Sequence, residues 1–192
     1  MKFAILVEDD SDEGTLKVLV RRLYDKKNRK RAPKIVTKGY KGCTQLYLKA
    51  ARDIDAFHGI NGITKFIVVV DADGPDPSQV KAKIRSNIIK KTTCDVEICA
   101  IVPVEEIEAW ILADIEKVTQ IIHSWRDPQP QANPERIRNP KEELEKKSRD
   151  ENKKARYDHV KHNKLMAELL EIDVVAKKCP SFGPLKKFID DC

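Results

Sequence analysis

Two short apolar runs, each ending in acid, constrain this chain more than any other feature. Phe3-Ala-Ile-Leu-Val7 leads into Glu8-Asp-Asp10, and Phe66-Ile-Val-Val-Val70 leads into Asp71-Ala-Asp73. An apolar run without polar alternation marks a strand buried on both faces, and such strands belong to parallel sheets covered by helices on each side. Between the two runs, Leu16, Leu19, Val20 and Leu23 repeat at helical spacing. Asp10 and Glu13 stand where a capping box would start that helix.

The intervening pattern completes an alternating order. Ile35-Val36 predicts a short strand, and Leu46, Ala50 and Ile54 predict a helix from Cys43 to Phe57. Asp76 before Pro77 reads as a cap and first helical residue, with Val80, Ile84 and Ile88 as the buried stripe. Val96 to Val102 is a further strand, and a helix is expected from Val104 through Ile122 on the stripe Ile107, Ile111, Ile115 and Val118. The order β-α-β-α-β-α-β predicts an α/β fold, a parallel four-stranded sheet flanked by helices.

The segment 127–134 holds three prolines and no large apolar residue, which sets an expected boundary between a domain at 1–125 and a helical C-terminal extension at 126–192. In the extension, Lys141 to Lys154 is densely charged, and Leu165 to Leu170 and Phe182 to Ile189 offer apolar faces. Ser181 is placed to cap the last helix.

Of the 192 residues, 41% are hydrophobic and 35% charged, a balance that fits a folded soluble domain and excludes a disordered or membrane-embedded one. No apolar run is long enough to cross a bilayer, and the N-terminal run lacks the flanks of a signal peptide. The five cysteines form no CxxC pair, so a reducing cytoplasm is the expected compartment.

The two acidic endings carry the chemistry. Residues two apart on a strand point to one side, so Asp71 and Asp73 present two carboxylates together, and Glu8 stands at the matching end of the first strand. Ligands of open parallel sheets gather outside those ends. Asp12, one turn beyond Glu8, adds a fourth carboxylate if the turn folds back. Either cluster alone reads as well as a solvated turn, but their joint placement after two buried strands favours a shared site. Grouped carboxylates raise one another's pKa and lose hydration, a conflict that a hard divalent cation such as Mg2+ or Mn2+ relieves. A carboxylate beside the cation can also move protons.

Two families share these residues. Ile5-Leu-Val-Glu-Asp-Asp-Ser-Asp-Glu-Gly-Thr-Leu resembles the start of a response-regulator receiver, which implies a phosphoacceptor aspartate at Asp71 or Asp73. No serine or threonine follows a fourth strand, and no Lys-Pro a fifth, where a receiver has them. The second resemblance covers more of the chain. Val7-Glu-Asp-Asp-Ser-Asp12 resembles the TOPRIM glutamate motif, with Asp9 in place of its glycine, and Val70-Asp-Ala-Asp73 resembles the D-x-D motif. Pro103-Val-Glu-Glu-Ile-Glu-Ala-Trp-Ile-Leu-Ala-Asp114, Asn139-Pro-Lys141 and Cys179-Pro-Ser-Phe182 resemble signatures of one TOPRIM-like branch, the domain of unknown function 4276, related to OLD-type nuclease domains.

That resemblance implies a metal-dependent nuclease in which Glu8 is general acid or base and shares metal with Asp12, Asp71 and Asp73. It also implies a partner ATPase and a role in defence against phage, with DNA favoured over RNA as substrate. Glu108 is either an extra metal ligand or a partly exposed helix residue. Trp110 reads as a packing residue. A nucleic-acid-binding subunit without catalysis is the alternative function.

The net charge of +6 permits a polyanionic partner. Lys26, Lys27, Arg29, Lys30 and Arg31 form an undiluted basic run able to track a phosphate backbone. The cations from Arg136 to Lys164 are interleaved with glutamates and read as a solvated helical face. Lys161 reaches the carboxylates if the extension folds over them, as a catalytic cation. His159 and His162 read as surface residues, since no third ligand accompanies them.

Overall fold

In the computed structural model, described here for all residues except 28–30, 75, 119, 123–124 and 126–128, the strands are β1 (Lys2–Val7), β2 (Lys34–Gly39), β3 (Lys65–Val69) and β4 (Glu97–Ile101). They form one all-parallel sheet in the order β2-β1-β3-β4. The helices are α1 (Glu13–Asp25), α2 (Cys43–Asn61), α3 (Pro77–Asn87), α4 (Glu108–Leu112), α5 (Ile115–Val118), α6 (Pro140–Lys147), α7 (His159–Leu169), α8 (Ile172–Lys178) and α9 (Gly183–Asp190).

The unbroken apolar runs are explained by burial on both faces. Phe3, Ile5 and Val7 of β1 and Ile67 and Val69 of β3 join the core formed with α1, α4, α7 and α9. Ala4 and Leu6, with Phe66, Val68 and Val70, join the opposite core against α2 and α3. Burying each of the larger side chains contributes about 1.5–3 kcal/mol. Residues of 126–192, including Leu144, Tyr157, Met166, Phe182, Leu185 and Ile189, belong to the same core as β1 and α1.

Several local expectations are corrected. The Asp10–Glu13 capping box does not form: Asp9 accepts from the Ser11 amide at 2.9 Å, and residues Asp10–Asp12 make a 3-10 turn. Glu13 is drawn instead to β2, where it accepts from the Thr37 hydroxyl and the Gly39 amide, each at 2.5 Å. The helix expected at 104–122 is two short ones. Asp114 is taken by the Glu171 amide at 2.7 Å, and the Ala113 carbonyl by Lys178 at 2.7 Å, which interrupts the helical ladder between α4 and α5. Helix α6 covers only the first part of the charged stretch Lys141 to Lys154 and stops at Lys147, where the Ser148 hydroxyl receives the amides of Arg156 and Tyr157, at 3.1 and 2.8 Å. Ser181 does not cap α9; its hydroxyl accepts from the indole of Trp110 at 2.8 Å. Among the described residues no helix is long and apolar enough to cross a membrane.

Candidate metal centre

The sheet order reverses direction around β1 and β3, and this reversal opens a crevice beyond their carboxyl ends. A cavity of about 160 Å³ lies there. The exit of β1 supplies Glu8, Asp9 and Asp12, the exit of β3 supplies Asp71 and Asp73, and the segment after β4 supplies Glu106 and Glu108. Ser11, Lys141 and His159 complete its wall.

Backbone pairing past the ends of the strands brings these segments together. Val70 donates to Ile101, Ala72 to Pro103 and Asp73 to Glu105, at 3.2, 3.2 and 3.1 Å, so the chain after β4 runs beside the chain after β3 and delivers Glu106 and Glu108. β3 ends at Val69, so Asp71 and Asp73 do not share a side by strand alternation. Asp73 turns through a left-handed conformation at φ 48°, which an aspartate tolerates better than most residues. On the other side, Gly39 passes so near the turn that an added Cβ would lie 2.7 Å from Asp10 Cα. Only glycine fits there, and the close approach pins the Asp9–Asp12 turn against β2.

The site is electrostatically unbalanced. Burial, then the charges of Asp73 and Asp9, pushes Glu8 up to about 7. Burial, then Glu108, Asp9 and Glu8, pushes Asp12 up to about 7 against the opposing effect of Lys141. Burial, then Asp12, Glu108, Glu8 and Asp73, holds Asp71 well above the usual carboxylate range. Its Oδ1 is buried without a hydrogen-bond partner. Lys141 answers part of this charge. Its amide donates to Glu106 Oε2 at 3.1 Å and its ammonium lies 3.7 Å from Oε1. Burial alone would lower that ammonium's pKa, but Glu106, Glu108 and Glu142 outweigh burial and raise it.

Glu108 is 4% exposed and held from behind. Its Oε1 accepts from Asn163 Nδ2 at 3.0 Å and lies 3.3 Å from the Tyr157 hydroxyl, which donates to Asn163 Oδ1 at 2.5 Å. The reading of Glu108 as a partly exposed helix residue is thereby replaced. Trp110 is buried edge-on to Phe182, with ring centroids 5.0 Å apart.

The structure thus brings together Glu8, Asp12, Asp71, Asp73 and Glu108. It does not bring Lys161, which lies on the outer face of α7 with a 75% exposed side chain, 3.1 Å from Asp158. His159, read from sequence as a surface residue, lines the cavity, whereas His162 accepts from the Asp158 amide at 2.9 Å. Lys141 and Glu106 were missed as site residues, although Asn139-Pro-Lys141 and the segment around Glu106 both stood out as signatures. In the basic run, Lys26 pairs with Asp173, and Lys27 with Asp190 at 3.3 Å; Arg29 and Lys30 lie outside the described residues. Arg31 is exposed.

An all-oxygen set of carboxylates with a buried, unpartnered acceptor fits a hard divalent cation. Among the described residues no group of three or more His, Cys, Asp or Glu is arranged to hold a metal ion as it stands. Carboxylates packed without a cation repel one another.

Four parallel strands between helical layers, with an acidic cavity at the sheet's reversal point, define an open-sheet α/β protein. The family model described as domain of unknown function (DUF4276) matches residues 7–190, and the chain belongs to that family. No curated protein and no solved structure matches it.

Proposed function

We propose that this protein is a Mg2+- or Mn2+-dependent phosphodiesterase of TOPRIM kind, a nuclease acting on DNA in preference to RNA. The observation that carries the reading is the buried, unpartnered Asp71 Oδ1 inside a cavity of seven carboxylates, Glu8, Asp9, Asp12, Asp71, Asp73, Glu106 and Glu108, with Lys141 at its wall. The neutral donors present reach Glu108, Asp9 and Glu106 but leave Asp71 Oδ1 without a partner, a place that a divalent cation would fill. Glu8, Asp12, Asp71, Asp73 and Glu108 are the residues that would hold it. When bound, the metal would activate water and clamp a scissile phosphate.

The chain's own groups supply the remainder. Glu8 sits at the mouth of β1, only partly buried, and serves as the carboxylate that takes or returns a proton. Asn163 and Tyr157 fix the orientation of Glu108 from behind, leaving Oε2 for the cavity. Lys141, in the cavity wall, steadies negative charge developing on phosphate, in place of the solvent-exposed Lys161. Action beside a partner ATPase in defence against phage is the biological setting the family resemblance implies.

Purified protein incubated with plasmid, single-stranded DNA and RNA tests the proposal. Cleavage that requires Mg2+ or Mn2+ and disappears in Glu8→Gln is expected. Metal-dependent retention without product, even with an ATPase partner added, would leave a binding subunit in place of a nuclease.

A further inference from the structure

Where the first turns of α1 pack against α7, beside edge strand β2, a groove of about 430 Å³ opens. Two of its lining residues, Glu13 and Gly14, directly follow Asp12 of the acidic cavity in the chain. Its cations are Lys17 and Arg21 on α1 and Lys164 on α7. Lys17 and Arg21 stand four residues apart on one helix face, with Cβ atoms about 6 Å apart. Lys164 reaches over from the opposite wall: its stem lies so close that a Cβ on Gly14 would come 3.3 Å from its Cδ.

These three cations form no ion pair with any described residue, unlike Lys26 and Lys27, which the C-terminal acids Asp173 and Asp190 neutralise. The groove's carboxylates are Glu13, turned inward to Thr37 and Gly39, and Glu168 on the exposed rim. Unpaired cations keep condensed phosphate contacts available, whereas paired ones exchange one partner for another with little gain.

We propose that this groove, rather than the paired Lys26 and Lys27, carries the phosphate backbone of a nucleic-acid strand leading to the carboxylate cavity. The strand's destination rests on the nuclease reading; its binding in the groove does not. Lys17, Arg21 and Lys164 each meet a backbone phosphate, and Glu168 opposes the strand's charge at the rim.

The test is fluorescence anisotropy of a labelled single-stranded DNA oligonucleotide with the full chain in EDTA, across a salt series. The wild type is expected to bind with a steep salt dependence. Lys17→Ala/Arg21→Ala/Lys164→Ala is expected to lose at least about tenfold in affinity and to flatten the log–log salt slope by about 2, at roughly 0.7 per single-strand phosphate contact. Glu168→Gln, which removes only a rim charge, is expected to tighten binding, and Lys26→Ala/Lys27→Ala to change it by less than about twofold. A triple variant that binds like the wild type, an unchanged slope, or a wild type that retains no oligonucleotide overturns the proposal. Because EDTA removes metal, groove-dependent binding by a protein that never cleaves would sink the nuclease reading alone. Metal-dependent cleavage with groove-independent binding would sink the groove alone.

Discussion

Replacing Asp71 by Asn should stabilise the metal-free protein, the opposite of what substitution at a buried position ordinarily does. Asp71 Oδ1 has no hydrogen-bond partner and faces the charges of Asp12, Glu108, Glu8 and Asp73. An amide of the same shape removes one carboxylate and offers two N–H donors to the acids around it. An unsatisfied buried acceptor costs roughly 1–3 kcal/mol, so relief of that size is expected. At about 2–4 °C per kcal/mol for a chain of this size, the metal-free melting temperature should rise on the order of 5 °C. Metal should act in reverse. At a hundredfold excess over Kd, a cation that binds only the folded state adds about 2.7 kcal/mol, or roughly 5–10 °C, to the wild type. Asp71→Asn should lose most of that gain. Thermal melts in EDTA and in Mn2+ at pH 8 read both effects. A variant less stable than wild type in EDTA, yet equally stabilised by Mn2+, would refute the reasoning.

Further outcomes are expected from the same geometry. Glu8 and Asp12 hold protons up to about pH 7 in the folded chain, against ordinary values of 4.5 and 3.8. The folded state therefore binds more protons than the unfolded one between those limits. The resulting stability is fully present below about pH 4 and is lost as pH rises through 7. The Asp12 displacement alone corresponds to about 4 kcal/mol, reduced to about 2 by solvent screening. Urea unfolding in EDTA should show the fall between pH 5 and pH 8, and a flat profile would contradict the electrostatics. Tyr157→Phe should weaken Mn2+ affinity about tenfold by loosening Glu108, while costing only about 1 kcal/mol of stability; unchanged affinity would show the hydroxyl to be structural only. Gly39→Ala must displace the Asp10 backbone and should lower both stability, by about 1–3 kcal/mol, and metal affinity, as chemical denaturation and calorimetry would report. Lys141→Ala should reduce cleavage about a hundredfold, whereas Lys161→Ala should leave it within about twofold.

The sheet was legible because Phe3–Val7 and Phe66–Val70 are buried on both faces, and that burial leaves an apolar run no other element explains as well. That Glu8, Asp71 and Asp73 line one cavity was legible from their places just past β1 and β3, although the strand alternation expected to pair the two aspartates stops at Val69. Residues supplied by tertiary packing were harder to place. The charge of Lys161 suits the acids, but α7 turns Asn163 and Met166 to the core and leaves Lys161 in solvent. Lys141 reaches the acids because Asn139 adopts a left-handed conformation before Pro140, which sets the first turn of α6 against Glu106. The Asp10–Glu13 box failed for a similar reason: Glu13 found Thr37 and Gly39, 24 and 26 residues away, and a local pattern carries no sign of such partners.

Isothermal calorimetry of Mn2+ into the metal-free protein at pH 7, in two buffers of different ionisation enthalpy, tests the central claim most directly. The expected result is saturable binding with net proton release, since the cation displaces protons from Glu8 and Asp12, and loss of that binding in Asp71→Asn. Absence of binding, or binding that Asp71→Asn leaves intact and that releases no protons, would contradict a metal centre at the carboxyl ends of β1 and β3.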